Sequence, residues 1–118
     1  MQQAELQLCI FVRAGDTYEG RPLHHEIIDR ARQAGLRGAT AIRGLEGFGA
    51  SAYLQRPGLA GLTGHEPVLI EVTDEADRVR AFLPSVEQLA GLGLITLKPV
   101  TSVRAITDLP DIATSALT

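Results

Sequence analysis

The spacing of apolar residues changes several times along the chain, and the order of these changes restricts the folds that it can adopt. From Leu6 to Val12 the apolar residues alternate at period two, which is typical of a β-strand. From Pro22 to Ala34 they recur every three or four residues, which is typical of an amphipathic helix. Pro22 suits the first helical position and Gly35 suits the helix end, so the sequence predicts a strand followed by a helix.

Two more strands and a second helix are expected further along the chain. A second strand is expected from near Gly38, and Val68–Val72 has the pattern of a third. A second helix follows, which we expect Thr73 and Asp74 to cap. Pro84 lies within this helical pattern, so either a kink or a division into two helices is expected there.

A fourth strand completes the order of elements. Leu94–Leu97 alternates, and Val100–Ile106 is expected to continue the sheet or rejoin it after a proline. The sequence thus predicts a ferredoxin-like α+β fold of order βαββαβ, an antiparallel sheet with two helices on one face. On the other face Phe11, Cys9 and Leu69 would be exposed in a small chain, so we expect that face to be buried between subunits of an oligomer.

Length and composition favour one compact domain. The chain has 118 residues, 45% of them apolar, and no apolar run approaches the roughly 20 residues that a membrane helix needs. Its net charge of −3 argues against a nucleic-acid partner. No secretion signal is recognisable and the single Cys9 excludes an internal disulfide, so a cytoplasmic location is expected. We expect one domain over 1–118, with a core at about 6–103 and a weakly attached tail at 107–118.

The least ordinary segment is rich in glycine and is followed by a long loop. Gly44, Gly47 and Gly49 lack Cβ atoms, so they would let the backbone turn sharply and present N–H groups to an anion or a nucleotide. Glycines in a strand also occur simply at a bulge or a strand crossing. The segment from Ala50 to His65 has no regular period, and a loop of this length in a compact domain is usually functional or disordered.

Three stretches of the sequence give it a family resemblance. They are Tyr18–Leu23 (YEGRPL), Gly38–Ser51 (GATAIRGLEGFGAS) and Phe82–Pro84 (FLP). With these the chain resembles, over roughly 6–103, the bacterial and archaeal PII-like proteins of the domain-of-unknown-function-190 family. More distantly it is similar to the PII signalling proteins, which are trimers with adenine-nucleotide sites in clefts between subunits and a long loop that contacts partner proteins.

The resemblance implies a homotrimer that is not an enzyme, binds a small effector such as an adenine nucleotide or another anion, and regulates a membrane transport or channel protein. The phosphate-binding lysine of PII has no counterpart, because the sole lysine, Lys98, lies beyond the fourth strand, so arginines are expected to replace it. The expected ligand-binding residues are Arg43, Gly44, Gly47, Phe48, Gly49 and Arg104. The expected partner-contacting residues of the loop at 50–65 are Tyr53, Leu54, Arg56, Leu59 and Leu62.

Two other functions remain open from the sequence. Copper- and divalent-cation-tolerance proteins resemble this architecture, and in such a stress protein His24, His25 or His65 would bind metal. His24 and His25 are adjacent and point about 100° apart on a helix, so a solvated helix face is the favoured interpretation and no metal ligand is assigned. The other alternative is a structural trimer without a ligand. The sequence contains no nucleophile-elbow, phosphate-loop or zinc-protease motif.

Overall fold

The computed structural model of the protein describes residues 4–47, 66–91 and 93–104. Its helices and strands follow the order expected from the sequence, with one additional short hairpin before the first helix. In chain order the elements are β1 (Glu5–Arg13), β2 (Thr17–Tyr18), β3 (Arg21–Pro22), α1 (Leu23–Gln33), β4 (Ala39–Arg43), β5 (Pro67–Glu75), α2 (Ala76–Ala90) and β6 (Leu94–Val100).

Four of these strands form one antiparallel sheet in the order β4-β5-β1-β6. The central strands β1 and β5 are each nine residues long and pair along their whole length. Among the described strands, β4 and β6 occupy the two outer positions. This is the strand order of a ferredoxin-like fold, so the predicted fold class is confirmed.

The core lies between the helices and one face of the sheet, where a single apolar cluster contains side chains of both helices and of the central strands. On β1 and β5 alternate residues such as Leu8, Ile10 and Ile70 are fully buried, as the period of a strand requires. The helices contribute Leu23, Ile27, Ala31, Val79, Phe82, Val86 and Leu89. No helix in the described part of the chain is both long and apolar enough to cross a membrane.

The β2–β3 hairpin is absent from the sequence-based prediction. Its turn residues, Glu19 and Gly20, have φ angles of +50° and +80°, which are typical of a tight type I′ hairpin turn. Because Pro22 belongs to β3, it precedes α1 instead of occupying its first helical position. The other end of α1 agrees with the prediction, since Gly35 has a φ of +76° and its N–H donates to the Arg32 carbonyl oxygen at 3.0 Å.

The boundary between β5 and α2 differs from the prediction. β5 extends to Glu75, so Thr73 and Asp74 lie in the strand and the expectation that they cap α2 is wrong. The Asp74 carboxylate instead accepts backbone N–H groups inside the fold. α2 continues through Pro84 as one helix, so of the two outcomes expected there, a kink or a division, the division is not found. β6 likewise includes Pro99 as part of one strand.

The sheet face opposite the helices carries an apolar row. The strand register places Ile42, Leu69, Phe11 and Leu94 side by side across all four strands. Ile42, Phe11 and Leu94 are 45%, 42% and 60% exposed, so this row is the apolar surface that the sequence predicted. Cys9 lies on the same face and is buried, as expected of a core residue, so the expectation that it would be exposed there is wrong; β1 is a central strand between β5 and β6.

Candidate functional site

The end of β4 contains the first predicted ligand-binding residues. The Gly44 N–H donates to the Pro67 carbonyl oxygen at 2.7 Å, so it is used within the chain. A Cβ atom at Gly44 would lie 2.8 Å from Pro67 Cγ, which is closer than real Cβ atoms approach, whereas one at Gly47 would lie at an ordinary 3.5 Å. Close approach of two chain segments therefore explains Gly44, in line with the strand-crossing alternative, and its role toward a ligand stays a prediction.

Arg43 lies beside an open cleft between α1 and β4 that the sequence did not indicate. The cleft has a volume of about 410 Å³ and is lined by Arg21, His24, His25, Ile28, Asp29 and Ala41. Arg43 follows Ala41 by two residues on β4, so both are on the same face of the strand. Burial lowers the pKa of His24, and the charges of His25 and Arg43 lower it further, so His24 is neutral at neutral pH.

The arginine and aspartate side chains that line this cleft form ion pairs. Arg21 donates to Asp29 Oδ2 at 2.8 Å and to Glu26 Oε2 at 3.0 Å. Arg32 donates to the other Asp29 oxygen at 3.2 Å. The hydrogen bond from Arg21 is the main reason that the pKa of Asp29 lies below its ordinary value. The Asp29 carboxylate is thus held by two arginines, which makes it a poor cation ligand.

The described residues do not assemble the alternative metal site. Within 4–47, 66–91 and 93–104, no group of three or more histidine, cysteine, aspartate or glutamate side chains could hold a metal ion. His25 and Asp29 share the cleft, but arginines pair with the aspartate. His65 lies outside the described residues, so a contribution from it stays a prediction.

Arg104 lies far from Arg43 within one copy of the chain. Val100, at the end of β6, pairs with Glu5 at the start of β1, whereas Arg43 lies in the row of Val12 near the other end of β1. At about 3.3 Å per residue these rows are roughly 20 Å apart, and β4 and β6 occupy opposite sides of the sheet. A site that contains both arginines therefore takes them from different copies.

The expected continuation of the sheet over Val100–Ile106 is found at Val100, the last residue of β6, but residues 101–104 do not join the sheet. The Ser102 N–H donates to Glu5 Oε1 at 3.0 Å, which bonds this segment to the start of β1. Glu5 Oε2 accepts a hydrogen bond from the Arg37 guanidinium. The hydrogen bonds from Ser102 and then Arg37 lower the pKa of Glu5. Arg104 itself is exposed.

The remaining predicted site residues lie outside the described part of the chain. They are the two ligand-binding residues Phe48 and Gly49 and the partner-contacting residues Tyr53, Leu54, Arg56, Leu59 and Leu62. The roles of these residues stay predictions.

The strand order and the two helices on one face of the sheet give this chain a ferredoxin-like fold, which it shares with PII-like proteins of known structure. The chain belongs to the family DUF190, described as "Uncharacterized ACR, COG1993", which matches residues 5–102, and the resemblance found in the sequence is confirmed. A UPF0166 protein of Aquifex aeolicus is 35% identical over 95 residues, or 79% of this chain and 88% of that protein. A UPF0166 protein of Methanocaldococcus jannaschii is 30% identical over 91 residues, or 76% of this chain and 83% of that protein.

Solved structures with the same fold include regulatory and ion-tolerance proteins. CPII, a nitrogen regulatory PII-like protein from Thiomonas intermedia bound to ADP, AMP and bicarbonate, has a TM-score of 0.60 at 17% identity, covering 86% of this chain and 90% of that one. The divalent ion tolerance protein CutA1 from Ehrlichia chaffeensis has a TM-score of 0.55 at 10% identity, covering 98% and 92%. At these identities the likeness shows the fold alone.

Proposed function

We propose that this protein is a PII-like signalling protein, a homotrimer that binds a small effector in the clefts between its subunits. The proposed effector is an adenine nucleotide or another anion, bound by Arg43, the glycine-rich segment to Gly49, and Arg104. The loop at 50–65 is proposed to contact the regulated partner, a membrane transport or channel protein. Membership of the family and the fold shared with CPII, which binds ADP, AMP and bicarbonate, support this proposal.

The separation of Arg43 from Arg104 is the observation that carries the proposal. Arg43 is the last residue of β4, and Arg104 follows β6 at the other end of the sheet. The open face of the sheet carries the exposed apolar row across the strands between them. A second copy packed against that row would bury apolar surface, and a site that contains both arginines would then take one from each copy. Two guanidinium groups bind phosphate or carboxylate through charge-assisted hydrogen bonds, so an anion fits between copies.

Calorimetry with ATP, ADP, AMP and cyclic AMP tests this function. We expect at least one of these nucleotides to bind the wild type, and Arg43→Ala and Arg104→Ala each to weaken it about tenfold or more. Arg80→Ala removes the same charge from an exposed position on α2 and is expected to bind like the wild type. No heat and no thermal shift with any of the four at millimolar concentration would contradict the nucleotide site and favour the structural trimer.

Mixed trimers test whether the site lies between copies. Refolding Arg43→Ala and Arg104→Ala chains together creates interfaces in which one chain supplies Arg43 and the other supplies Arg104. Such mixtures are therefore expected to recover part of the wild-type binding, although each variant alone binds weakly. Failure of the mixture to recover binding would place the two arginines in separate sites.

A further inference from the structure

Arg104 belongs to a segment that a carboxylate attaches to the sheet. β6 ends at Val100, and the N–H of Ser102, two residues before Arg104, donates to Glu5 Oε1 at 3.0 Å. Glu5 is the first residue of the central strand β1. One glutamate side chain therefore links the segment that follows β6 to the start of β1.

Glu5 is itself oriented by an ion pair that leads into the interior. Its Oε2 accepts from Arg37 Nη2, and the two side chains are only 14% and 20% exposed. The Arg37 backbone N–H donates to Asp74 Oδ2 at 3.0 Å, and Arg37 Nε lies 3.2 Å from Asp74 Oδ1. Asp74 is 1% exposed. A buried carboxylate thus holds the arginine that holds Glu5, and low exposure protects these charges from screening by salt.

We infer that Glu5 and Arg37 are positioning residues of the effector site, which hold residues 101–104 so that Arg104 reaches an anion bound between copies. This inference rests on the proposed function, because Arg104 is a proposed ligand-binding residue. The physical basis is preorganisation. An arginine on an ordered segment loses less conformational freedom when it binds an anion than one on a loose segment, so removing its support weakens binding. Glu5, a carboxylate, attracts no anion itself.

A double-mutant cycle on ADP binding separates this role from a merely structural one. Glu5→Gln preserves the size of the side chain and removes its charge, and Arg37→Gln removes the other half of the ion pair. Each is expected to weaken ADP binding by as much as Arg104→Ala does, about tenfold, because both residues act through the position of Arg104. In the Arg104→Ala background, Glu5→Gln is expected to cause no further loss, because the residue through which it acts is gone.

A control variant comes from a glutamate on α2. Glu87 is exposed on that helix and is neither among the residues that line the cleft beside Arg43 nor part of the Glu5–Ser102 bond. Glu87→Gln therefore makes the same change of side chain as Glu5→Gln and is expected to retain the ADP affinity of the wild type. If Glu5→Gln does not fold, Arg37→Gln takes its place in the cycle.

Amide hydrogen exchange supplies a readout that needs no nucleotide. Exchange of the Ser102 N–H is expected to be slow in the wild type and in Glu87→Gln, and faster in Arg37→Gln and Glu5→Gln. Unchanged exchange at Ser102 would overturn the inference. The inference would also be overturned if Glu5→Gln bound ADP like the wild type while Arg104→Ala bound it more weakly. It would be overturned as well if Glu5→Gln caused the same loss of affinity with and without Arg104. Both outcomes would leave the proposed function standing. A wild type that binds no ADP would overturn both for this nucleotide.

Discussion

Pro67 occupies the space that a side chain at Gly44 would need. Its carbonyl oxygen accepts the Gly44 N–H at 2.7 Å, and its Cγ lies 2.8 Å from the position of a Cβ atom on that glycine. These contacts hold the chain against the start of β5 immediately after Arg43, the last residue of β4. The beginning of the glycine-rich segment is therefore set by packing within the chain.

Replacing Gly44 with alanine is expected to lower the free energy of unfolding by about 1–3 kcal/mol, because the new methyl group would overlap the Pro67 ring. Gly47→Ala is the matched control, since its Cβ would lie an ordinary 3.5 Å from Pro67 Cγ, and a change of about 0.5 kcal/mol or less is expected. Urea denaturation measures both. Equal effects of the two substitutions would contradict the steric account.

The buried carboxylate of Asp74 gives a second prediction. Asp74 accepts the N–H groups of Arg37 at 3.0 Å and Glu75 at 2.7 Å, and it faces the Arg37 guanidinium. Asp74→Ala leaves these donors without their acceptor in a buried place, so a loss of about 3 kcal/mol in unfolding free energy is expected. Asp77→Ala, at an exposed position in the first turn of α2, is expected to cost about 0.5 kcal/mol. Similar losses in chemical denaturation would show that Asp74 is not an internal anchor.

Apolar periodicity predicted β1, β5, β6 and both helices, because packing on one face dictates which positions are apolar. β4 was expected in the right place, but four of its five residues are exposed and its sequence has no clear apolar period. Periodicity failed at Asp74, whose sequence neighbourhood is typical of a helix cap. Whether such a residue caps a helix or lies in a strand depends here on Arg37, which is 37 positions away. The β2–β3 hairpin had a usable signal in Glu19-Gly20, but its strands are two residues long and too short to show a period.

The candidate site was less predictable than the fold. The resemblance pointed to Arg43 and Arg104, but only the strand register shows that one copy keeps them apart. The cleft beside Arg43 arises because α1 and β4 lie side by side. This packing is a tertiary contact, which the local sequence of neither element indicates. The hydrogen-bond partners of Glu5 are Arg37 and Ser102, which follow it in the sequence by 32 and 97 residues.

The apolar row on the open face predicts the effect of a charge at its centre. Phe11→Glu puts a carboxylate between Leu69 and Leu94, and burying that charge between subunits is costly. The substitution is expected to convert an assembly of three chains into single chains of 12.6 kDa, as measured by analytical ultracentrifugation. Gln88→Glu adds the same charge at an exposed position of α2 and is expected to leave the assembly intact. A wild type that sediments as a single chain would contradict the proposed trimer.

Glu5 predicts a specific change in acid stability. Its pKa is lowered in the folded protein, mainly by Ser102 and then by Arg37, so the ionised form stabilises the fold. That contribution is fully present above the ordinary glutamate pKa of about 4.3 and is lost as the pH falls below it through the lowered pKa. Glu5→Gln is therefore expected to be less stable than the wild type at neutral pH but to lose less stability on acidification below about pH 4.3. Parallel curves of unfolding free energy against pH would contradict this.

His24 also makes the stability of the fold depend on pH, but here the folded protein disfavours the charged form of the side chain. Burial lowers its pKa in the folded protein, with smaller effects from His25 and Arg43, so the fold disfavours the protonated ring. The unfolded chain binds that proton below the ordinary histidine pKa of about 6.5, so this residue makes stability fall as the pH decreases from there toward the lowered pKa. His24→Gln is expected to reduce that fall.

The same pKa reports whether Arg43 lies beside the cleft. Removing the positive charge in Arg43→Ala is expected to raise the pKa of His24 toward its ordinary value, because the protonated ring is no longer repelled. Proton NMR titration of the imidazole measures this directly, and Arg80→Ala serves as a control at an exposed position on α2. An unchanged His24 pKa in Arg43→Ala would contradict the position of Arg43 beside the cleft. A raised pKa in that variant alone would confirm that the Arg43 guanidinium lies close to His24 at the cleft.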